Sequence, residues 1–315
     1  MQNIYEAQAA NRRKSLIIIT LFILFITVVV YVLSQALGFY LGYEPGGLGF
    51  VGIALILSGL MSFGSYYFSD KIVLSISGAK QADRREFFDF YTVTENLCLA
   101  AGIPKPKLYV IDDSAPNAFA TGRDPKHAVV CATTGLLSKL SRTELEGVIA
   151  HELTHIKNYD VRVMSIVAVL VGTVALMGDW FLRMSYFGSS NRKKEGGQIG
   201  AILLLLGLVF AILSPIIARL IQLAISRNRE FGADAGAVSI TRQPGGLIRA
   251  LQKISADHEP LEAANKATAH MYIANPFKDL SSGREQKQSP VSMFANLFNT
   301  HPPVHDRIKA LQKMT

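Results

Sequence analysis

The chain has 315 residues, of which 50% are hydrophobic and only 18% are charged. Soluble domains carry about 25% charged residues, so this composition, with a mean hydropathy of +0.26, argues against a soluble protein and excludes a disordered one. The formal net charge is +8, but no nucleic-acid-binding motif accompanies it, so we expect contacts with anionic lipid head groups and no nucleic acid partner. Two cysteines, Cys98 and Cys131, are too few for a disulfide framework.

Two uncharged stretches near the start of the chain, 15–37 and 47–68, predict a transmembrane hairpin over residues 15–68. As a helix, each would measure about 33 Å, and the hydrocarbon core of a bilayer is about 30 Å thick. Lys and Arg residues precede and follow this hairpin, whereas the connection 38–46 contains none. The positive-inside rule therefore predicts a cytoplasmic N-terminus at residues 1–14 and a cytoplasmic chain from residue 69 onward.

A second hydrophobic hairpin is expected at residues 161–225, from the stretches 163–182 and 199–225. The connection between them is basic, with Arg192, Lys193 and Lys194. If both stretches cross the bilayer, this basic connection lies outside, against the charge rule. The alternative is a hairpin that lies partly in the bilayer or packs on the protein, and the sequence is compatible with both arrangements.

The polar residues 69–160 are expected to form a cytoplasmic domain with a small sheet. A helix is predicted from about residue 81 to 101, where Gly102 ends it. Short strands are predicted at 107–111, 118–121 and 128–131. Ser141 and Glu144 form a capping box that begins a helix with one apolar side. The remaining part, 226–315, is predicted to contain a helix from 227 to about 240 and a final helix from 304 to about 314.

The capped helix carries the motif His-Glu-Leu-Thr-His at residues 151–155. His151 and His155 are four residues apart and share one helical face, so both imidazoles can bind one ion at Zn–N distances of about 2.0–2.1 Å. Glu152 lies one position round the helix, where it can take a proton from a water molecule activated by the metal. The pattern predicts metal-assisted hydrolysis; the alternative is a surface helix whose two histidines only form hydrogen bonds.

A catalytic zinc ion needs a third protein ligand, for which Glu230 is the best candidate. Asp234 lies four residues further on the same face, where it can hold a ligand histidine by its other ring nitrogen. The alternative is a capping or salt-bridged pair of surface carboxylates. His301 and His305 are also four residues apart, but Pro302 and Pro303 prevent a regular helix through them. The other histidines, His127, His258 and His270, are expected in turns or in contact with solvent.

Four motifs together resemble the HtpX heat-shock membrane metalloproteases, a group related to the CAAX prenyl-protease zinc enzymes. They are His-Glu-Leu-Thr-His, the downstream Glu-Phe-Gly-Ala-Asp, the segment 115–122, and His301-Pro302-Pro303 with Arg307. The resemblance covers essentially the whole chain. It implies a mainly α-helical membrane protein in which a zincin-like α+β protease domain with a small β-sheet is fused to transmembrane helices.

The resemblance also implies a function, a cofactor and roles for individual residues. The expected protein is a zinc metalloendopeptidase of the bacterial inner membrane, multi-pass, with its active site facing the cytoplasm, that degrades unfolded or damaged membrane proteins. One Zn²⁺ ion per chain would be held by His151, His155 and Glu230, with Glu152 as the general base. Residues Asn117, Ala118 and Phe119 would form an edge strand that binds an extended substrate. His301 or Arg307 would donate to the developing oxyanion; the alternative is that they only anchor the last helix.

The residues around the motif disfavour two other functions. An intramembrane protease of the site-2 type is disfavoured, because charged residues beside the motif (Glu144, Glu146, Lys157 and Asp160) place it in water. A zinc-stabilised adaptor that binds without cutting is disfavoured by Glu152, because a structural zinc site closes with four ligands and needs no base. The natural substrates, the cleavage preference, the gating of the site and the oligomeric state do not follow from the sequence.

Overall fold

The computed structural model describes residues 47–169, 227–264, 268–274, 276 and 302–314, together with residues 9–11, 13–21, 23, 24, 27 and 31. The first long helix, α1, spans Gly47–Ile76, so it continues beyond the predicted hydrophobic stretch. Within these described residues, no helix is both long enough and apolar enough to cross a bilayer. The stretch 199–225 and most of the stretch 163–182 lie outside the described residues.

A four-stranded mixed sheet forms one side of the domain that follows α1. Its strands are β1 (Lys80–Gln81), β2 (Lys107–Ile111), β3 (Ala118–Gly122) and β4 (Ala128–Thr133), in the order β1-β2-β4-β3. Strands β2 and β4 are parallel, and the other two pairs are antiparallel. The three predicted strands are confirmed, and β1 is an addition. Because Gln81 pairs with Tyr109 in the sheet, the helix predicted from residue 81 begins only at Phe88.

The connection between β3 and β4 is a short turn that requires glycine at position 122 and contains His127. Asp124 accepts backbone hydrogen bonds from Lys126 and His127 and begins a 3₁₀ turn at Pro125–His127. Gly122 has a φ of 131°, and a Cβ atom there would overlap the backbone of His127. Only glycine suits this position. The turn aligns β3 with β4 and leaves β3 at the edge of the sheet.

Helices pack on this sheet and carry the rest of the core. They are α2 (Phe88–Ala101), α3 (Thr134–Lys139), α4 (Arg142–Lys157), α5 (Arg227–Thr241), α6 (Pro244–Ala256) and α7 (Val304–Gln312), with a further 3₁₀ turn at Ala269–Met271. Gly102 ends α2 in the left-handed conformation, as predicted. The predicted helices from residues 227 and 304 are present, whereas α6 was not predicted. The protein is therefore helix-rich with a small mixed sheet.

Helix α4, which carries the histidine motif, lies in the middle of this domain. The predicted capping box begins it, with the backbone amide of Ser141 donating to Glu144 Oε2 at 2.8 Å. Helix α4 packs against α2, α5, α6 and β3, and every residue from Gly147 to Ile156 is buried. Two glycines allow the neighbouring helices to approach α4 closely. A Cβ atom at Gly147 would meet the backbone of Leu247, and one at Gly236 would meet Thr154. The two histidines are therefore inside the protein rather than on a surface helix.

Candidate metal centre

The structure brings His151 and His155 of α4 together with Glu230 of α5. The two Nε2 atoms are 3.2 Å apart. Glu230 Oε2 lies 3.8 Å from His151 Nε2, and Glu230 Oε1 lies 3.6 Å from His155 Nε2. All three side chains are buried, and within the described part of the chain they form the one cluster of His, Cys, Asp or Glu groups placed to share a metal ion.

These distances suit a tetrahedral zinc ion. With metal–ligand bonds of about 2.0–2.1 Å, tetrahedral geometry separates two ligand atoms by about 3.3–3.4 Å. The observed separations of 3.2, 3.6 and 3.8 Å require only small shifts of the carboxylate. Two imidazoles and one carboxylate are also a donor set that zinc accepts, and they leave one position open for water or substrate. The three residues present therefore fit the predicted ion.

His151 is held from behind by a carboxylate and a buried arginine. Its Nδ1 atom lies 3.0 Å from Asp234 Oδ1. Arg307 of α7 donates to both oxygens of Asp234, from Nε at 2.9 Å and from Nη2 at 2.7 Å, and its Nη1 donates to the carbonyl oxygen of Ile273 at 3.1 Å. The guanidinium is 1% exposed. This bidentate pair fixes the carboxylate that orients His151.

His155 has a different partner, Asp160, which the motifs did not indicate. Its Nδ1 atom lies 2.9 Å from Asp160 Oδ2, and Asp160 is 2% exposed. Asp160 comes after the end of α4, beyond Asn158 and Tyr159, and Tyr159 has a positive φ of 61°. The sequence does show an acidic residue shortly after His155. Because the helix ends before Asp160, however, helical spacing does not predict where its side chain points.

The two histidines differ in protonation. Burial, followed by the charge of Arg307, lowers the pKa of His151 to about 4, although Asp234 acts against this. Burial also tends to lower the pKa of His155, but its hydrogen bond to Asp160 and the charge of Glu230 together raise it to about 9. His151 is therefore a neutral ligand near pH 7, whereas His155 carries a proton that a binding cation must displace.

Glu152 lies next to the ligands, but its chemistry is that of a base. Its side chain is buried, and its carboxylate lies near the backbone of Ala120 on β3. Burial raises its pKa to about 7, and the charge of Glu230 acts in the same direction, while those of His155 and Arg307 oppose it. A carboxylate with this pKa can both accept and return a proton near neutral pH.

The edge strand β3 lies beside this centre, but another segment covers part of it. The backbone amide of Ile273 donates to the carbonyl oxygen of Ala118 at 2.9 Å, and Asn117 Nδ2 donates to the carbonyl oxygen of Ala274 at 3.1 Å. The ring of Phe119 packs edge-on against that of Tyr272, with centroids 5.0 Å apart. The three residues predicted to bind substrate therefore contact residues 272–274 of the same chain.

The remaining histidines lie elsewhere. His301 is outside the described residues. His258 and His305 are exposed, and His127 lies in the predicted turn with Nδ1 2.8 Å from Asp124 Oδ1. His270 is an exception to our expectation of a solvated residue, because it is fully buried with Nε2 3.1 Å from the carbonyl oxygen of Met164.

The chain is similar to known proteases. The sequence profile of peptidase family M48 matches residues 85–315. A protein named Protease HtpX homolog from Dictyoglomus thermophilum is 44% identical, over 98% of this chain and 94% of the relative. One of the same name from Caldanaerobacter subterraneus is 42% identical, over 100% of this chain and 99% of the relative. Among solved structures, S. mikatae Ste24p matches with a TM-score of 0.46 and 18% identity, covering 98% of this chain and 67% of that one.

Proposed function

The chain belongs to peptidase family M48, among the HtpX homologues, and is a metallopeptidase; on this premise we propose that it is a zinc endopeptidase that cleaves unfolded or damaged membrane proteins. The observation that carries the proposal is the buried cluster of His151, His155 and Glu230 with Glu152 beside it. Two imidazoles, a carboxylate and a neighbouring base are the groups that hydrolysis at a zinc site requires.

In this proposal the protein residues have separate tasks. A bound zinc ion would polarise the scissile carbonyl group and acidify water. Glu152 takes the proton of the attacking water and returns it to the departing amine nitrogen, which its pKa of about 7 favours. Asp234 and Asp160 hold the two histidines by their Nδ1 atoms, so that both Nε2 atoms face the ligand position.

Of the two residues predicted to stabilise the oxyanion, Arg307 has a placement that favours another task. Its Nε, Nη1 and Nη2 atoms all have acceptors at 2.7–3.1 Å, in Asp234 and the carbonyl group of Ile273. We therefore propose that Arg307 acts by positioning Asp234, and that donation to the oxyanion is left to His301. The last helix and the centre are then linked through one buried guanidinium group.

The substrate is proposed to be an extended, unfolded peptide that pairs with β3. Main-chain hydrogen bonds to an edge strand hold a peptide with little sequence preference, which suits quality control of many different proteins. Because Ala118 already accepts a bond from Ile273, an incoming peptide would pair with β3 only after residues 272–274 move aside. Asn117 and Phe119 would then be released from Ala274 and Tyr272 to contact the substrate.

We propose that the protein is anchored in the bacterial inner membrane, in contact with its lipids, with the centre on the cytoplasmic side. The support is the pair of uncharged stretches at 15–37 and 47–68 and the basic residues at both ends of that hairpin. A tag inserted between residues 189 and 195 and probed from outside the cell measures whether the second hairpin crosses the bilayer. Either result keeps Glu230 on the side of His151, because zero or two crossings separate them.

The decisive experiment compares Glu152→Gln with the wild type. Cleavage of casein in detergent is expected to fall by at least about a hundredfold, because the general base is lost, while zinc per chain is unchanged. Glu146→Gln on the same helix is the matched control and should cleave normally. A chelator should stop the wild type, and added zinc should restore it.

Two outcomes contradict the proposal. Cleavage that persists in Glu152→Gln would exclude Glu152 as the base. A wild type that binds unfolded casein and zinc but never cuts would instead favour the adaptor. Zinc content measured after His151→Ala or Glu230→Gln tests the ligands separately, since either change should lower bound zinc.

A further inference from the structure

Asn11, which precedes the predicted hairpin, contacts the carboxylate that supports His155. Asn11 is only 2% exposed, and its side-chain nitrogen donates to Asp160 Oδ1 at 2.8 Å and to the carbonyl oxygen of Asn158 at 2.9 Å. Asn11 lies outside residues 85–315, which match the protease family profile, and directly before the basic residues that precede the predicted hairpin. The contact therefore joins the N-terminal segment to the protease domain.

The two oxygens of Asp160 have different partners: one faces the metal ligand His155, and the other bonds to Asn11 of the N-terminal segment. Oδ2 faces His155 Nδ1 at 2.9 Å, whereas Oδ1 accepts from Asn11 and lies 3.5 Å from Arg229 Nε. A carboxylate held at both oxygens cannot rotate away from the histidine. The second bond of Asn11, to the carbonyl group of Asn158, also holds the backbone corner from which Asp160 projects. One amide group thus fixes both the direction and the position of Asp160.

The chemistry of an amide suits this position. A lysine here would neutralise the carboxylate and weaken its attraction for the Nδ1 proton of His155. The amide of Asn11 donates to Asp160 without adding a further charge, and Asp160 keeps His155 Nε2 directed at the ligand position. Because the Asn11 side chain is buried, water does not compete for its hydrogen bonds.

We propose that Asn11 is a positioning residue for the metal ligand His155, so that the N-terminal segment completes the metal centre. The proposal rests on the proposed function in one respect, that His155 ligates the catalytic ion. It differs from a packing role because Asn11 acts through Asp160 and through its amide group, not through its volume.

The test is the zinc affinity of the full-length protein in detergent, measured by competition with a chelator. Asn11→Leu keeps the size of the side chain and removes the donor, and we expect zinc to bind roughly tenfold more weakly, at the lower end of the effect of residues behind a ligand. Ser15→Ala is the matched control, since Ser15 is also buried one helical turn away, but its hydroxyl donates to the carbonyl oxygen of Asn11 and not to Asp160. Its zinc affinity should be unchanged.

A double variant separates positioning from general packing. If Asn11 acts through Asp160, Asn11→Leu combined with Asp160→Asn should bind zinc as weakly as Asp160→Asn alone. If Asn11 only fills space, the two losses should add. Thermal unfolding of the metal-free proteins identifies a variant that does not fold, and Asn11→Ser, which is smaller and cannot span both acceptors, then takes its place with the same expected loss.

The outcomes are distinct. A wild type that binds zinc while Asn11→Leu binds it equally well overturns the role of Asn11 and leaves the proposed function standing. Additive losses in the double variant also overturn it. A wild type that binds no zinc contradicts the proposed function itself, and the inference with it. A tenfold loss in Asn11→Leu, absent from Ser15→Ala and non-additive with Asp160→Asn, establishes the role.

Discussion

The two histidines of the motif lie one helical turn apart on α4, yet different parts of the chain support them. His151 is held by Asp234 of α5, whose two oxygens are bound by Arg307 of α7. His155 is held by Asp160, whose second oxygen is bound by the neutral amide of Asn11. One histidine thus depends on a cation in the protease domain, and the other depends on the segment before the predicted membrane hairpin.

This difference shows how a fold gives two identical ligands different properties. The cation near His151 contributes to its low pKa of about 4, and Arg307 also lowers the pKa of Asp234 to about 2, even though burial alone would raise it. Around His155, the hydrogen bond to Asp160 and the charge of Glu230 raise the pKa to about 9, although Arg229 lies 3.5 Å from Asp160 Oδ1. One ligand is ready for the metal at neutral pH, and the other must first give up a proton.

The largest expected effect comes from removing one supporting carboxylate at a time. Asp234→Asn removes the carboxylate that bonds twice to the buried guanidinium of Arg307 and leaves it only Glu230, at 3.9 Å, so we expect the free energy of unfolding to fall by about 3–5 kcal/mol. Asp160→Asn should cost only about 1–3 kcal/mol, because its cationic neighbour Arg229 is partly exposed, at 14%. Urea unfolding of the metal-free proteins measures both values. Equal losses would mean that the two supports are equivalent.

The second prediction concerns pH, where the two histidines should act in opposite directions in the metal-free protein. The pKa of His151 lies below its ordinary value of 6.5, so its contribution to stability is present above pH 6.5 and is lost as the pH falls toward about 4. The pKa of His155 lies above 6.5, so its contribution is present below pH 6.5 and is lost as the pH rises toward about 9. Each shift corresponds to a few kcal/mol, on the order of 3.

Urea midpoints measured with a chelator between pH 4 and 9 check this prediction. His151→Gln should flatten the acidic limb of the stability curve, and His155→Gln should flatten the alkaline limb. The pKa of Glu152, raised to about 7, also removes stability as the pH rises, so both variants are best made in Glu152→Gln. An alkaline limb that survives in His155→Gln would show that Asp160 and Glu230 do not hold a proton on this ring.

The smallest expected effect concerns helix packing. The packing of α5 on α4 should fix the positions of the metal ligands together with the supporting carboxylates. A Cβ atom at Gly236 of α5 would overlap Thr154 of α4, and such overpacking costs about 1–3 kcal/mol. Gly236→Ala should therefore lower stability and weaken zinc binding at both histidines, because it moves Glu230 with the helix. Gly232→Ala on α5 is the control: its Cβ atom meets nothing among the described residues, and alanine should stabilise the helix by up to about 1 kcal/mol. Similar behaviour of the two variants would contradict the packing argument.

The parts of this protein that local sequence determines could be predicted. The strands predicted at 107–111 and 128–131 follow from short apolar runs between turns, although the second continues to Thr133, and the start of α4 follows from the capping box of Ser141 and Glu144. The pairing of His151 with His155 on α4, and of Glu230 with Asp234 on α5, follows from helical spacing, because residues four apart share a face. Each of these inferences requires knowledge of only one turn or one element.

The features that could not be predicted depend on contacts between distant elements. Helix α6 begins at Pro244-Gly245-Gly246, a sequence typical of a loop, but Gly246 allows it to start directly against the carbonyl oxygen of Thr143. Strand β1 has two residues, too few for any periodicity. Asn11 meets Asp160 across 149 positions of the sequence, and no local rule connects them.

Arg307 should oppose the local unfolding of helix α7. Helix α7 has nine residues, fewer than the roughly 12–15 that an isolated helix needs to persist in water. Its guanidinium group is bonded to Asp234 and to the carbonyl oxygen of Ile273, inside the protein. A helix this short would ordinarily fray, but α7 cannot detach without exposing a charged pair that holds His151. Its amide hydrogens should thus exchange with deuterium as slowly as those of the core.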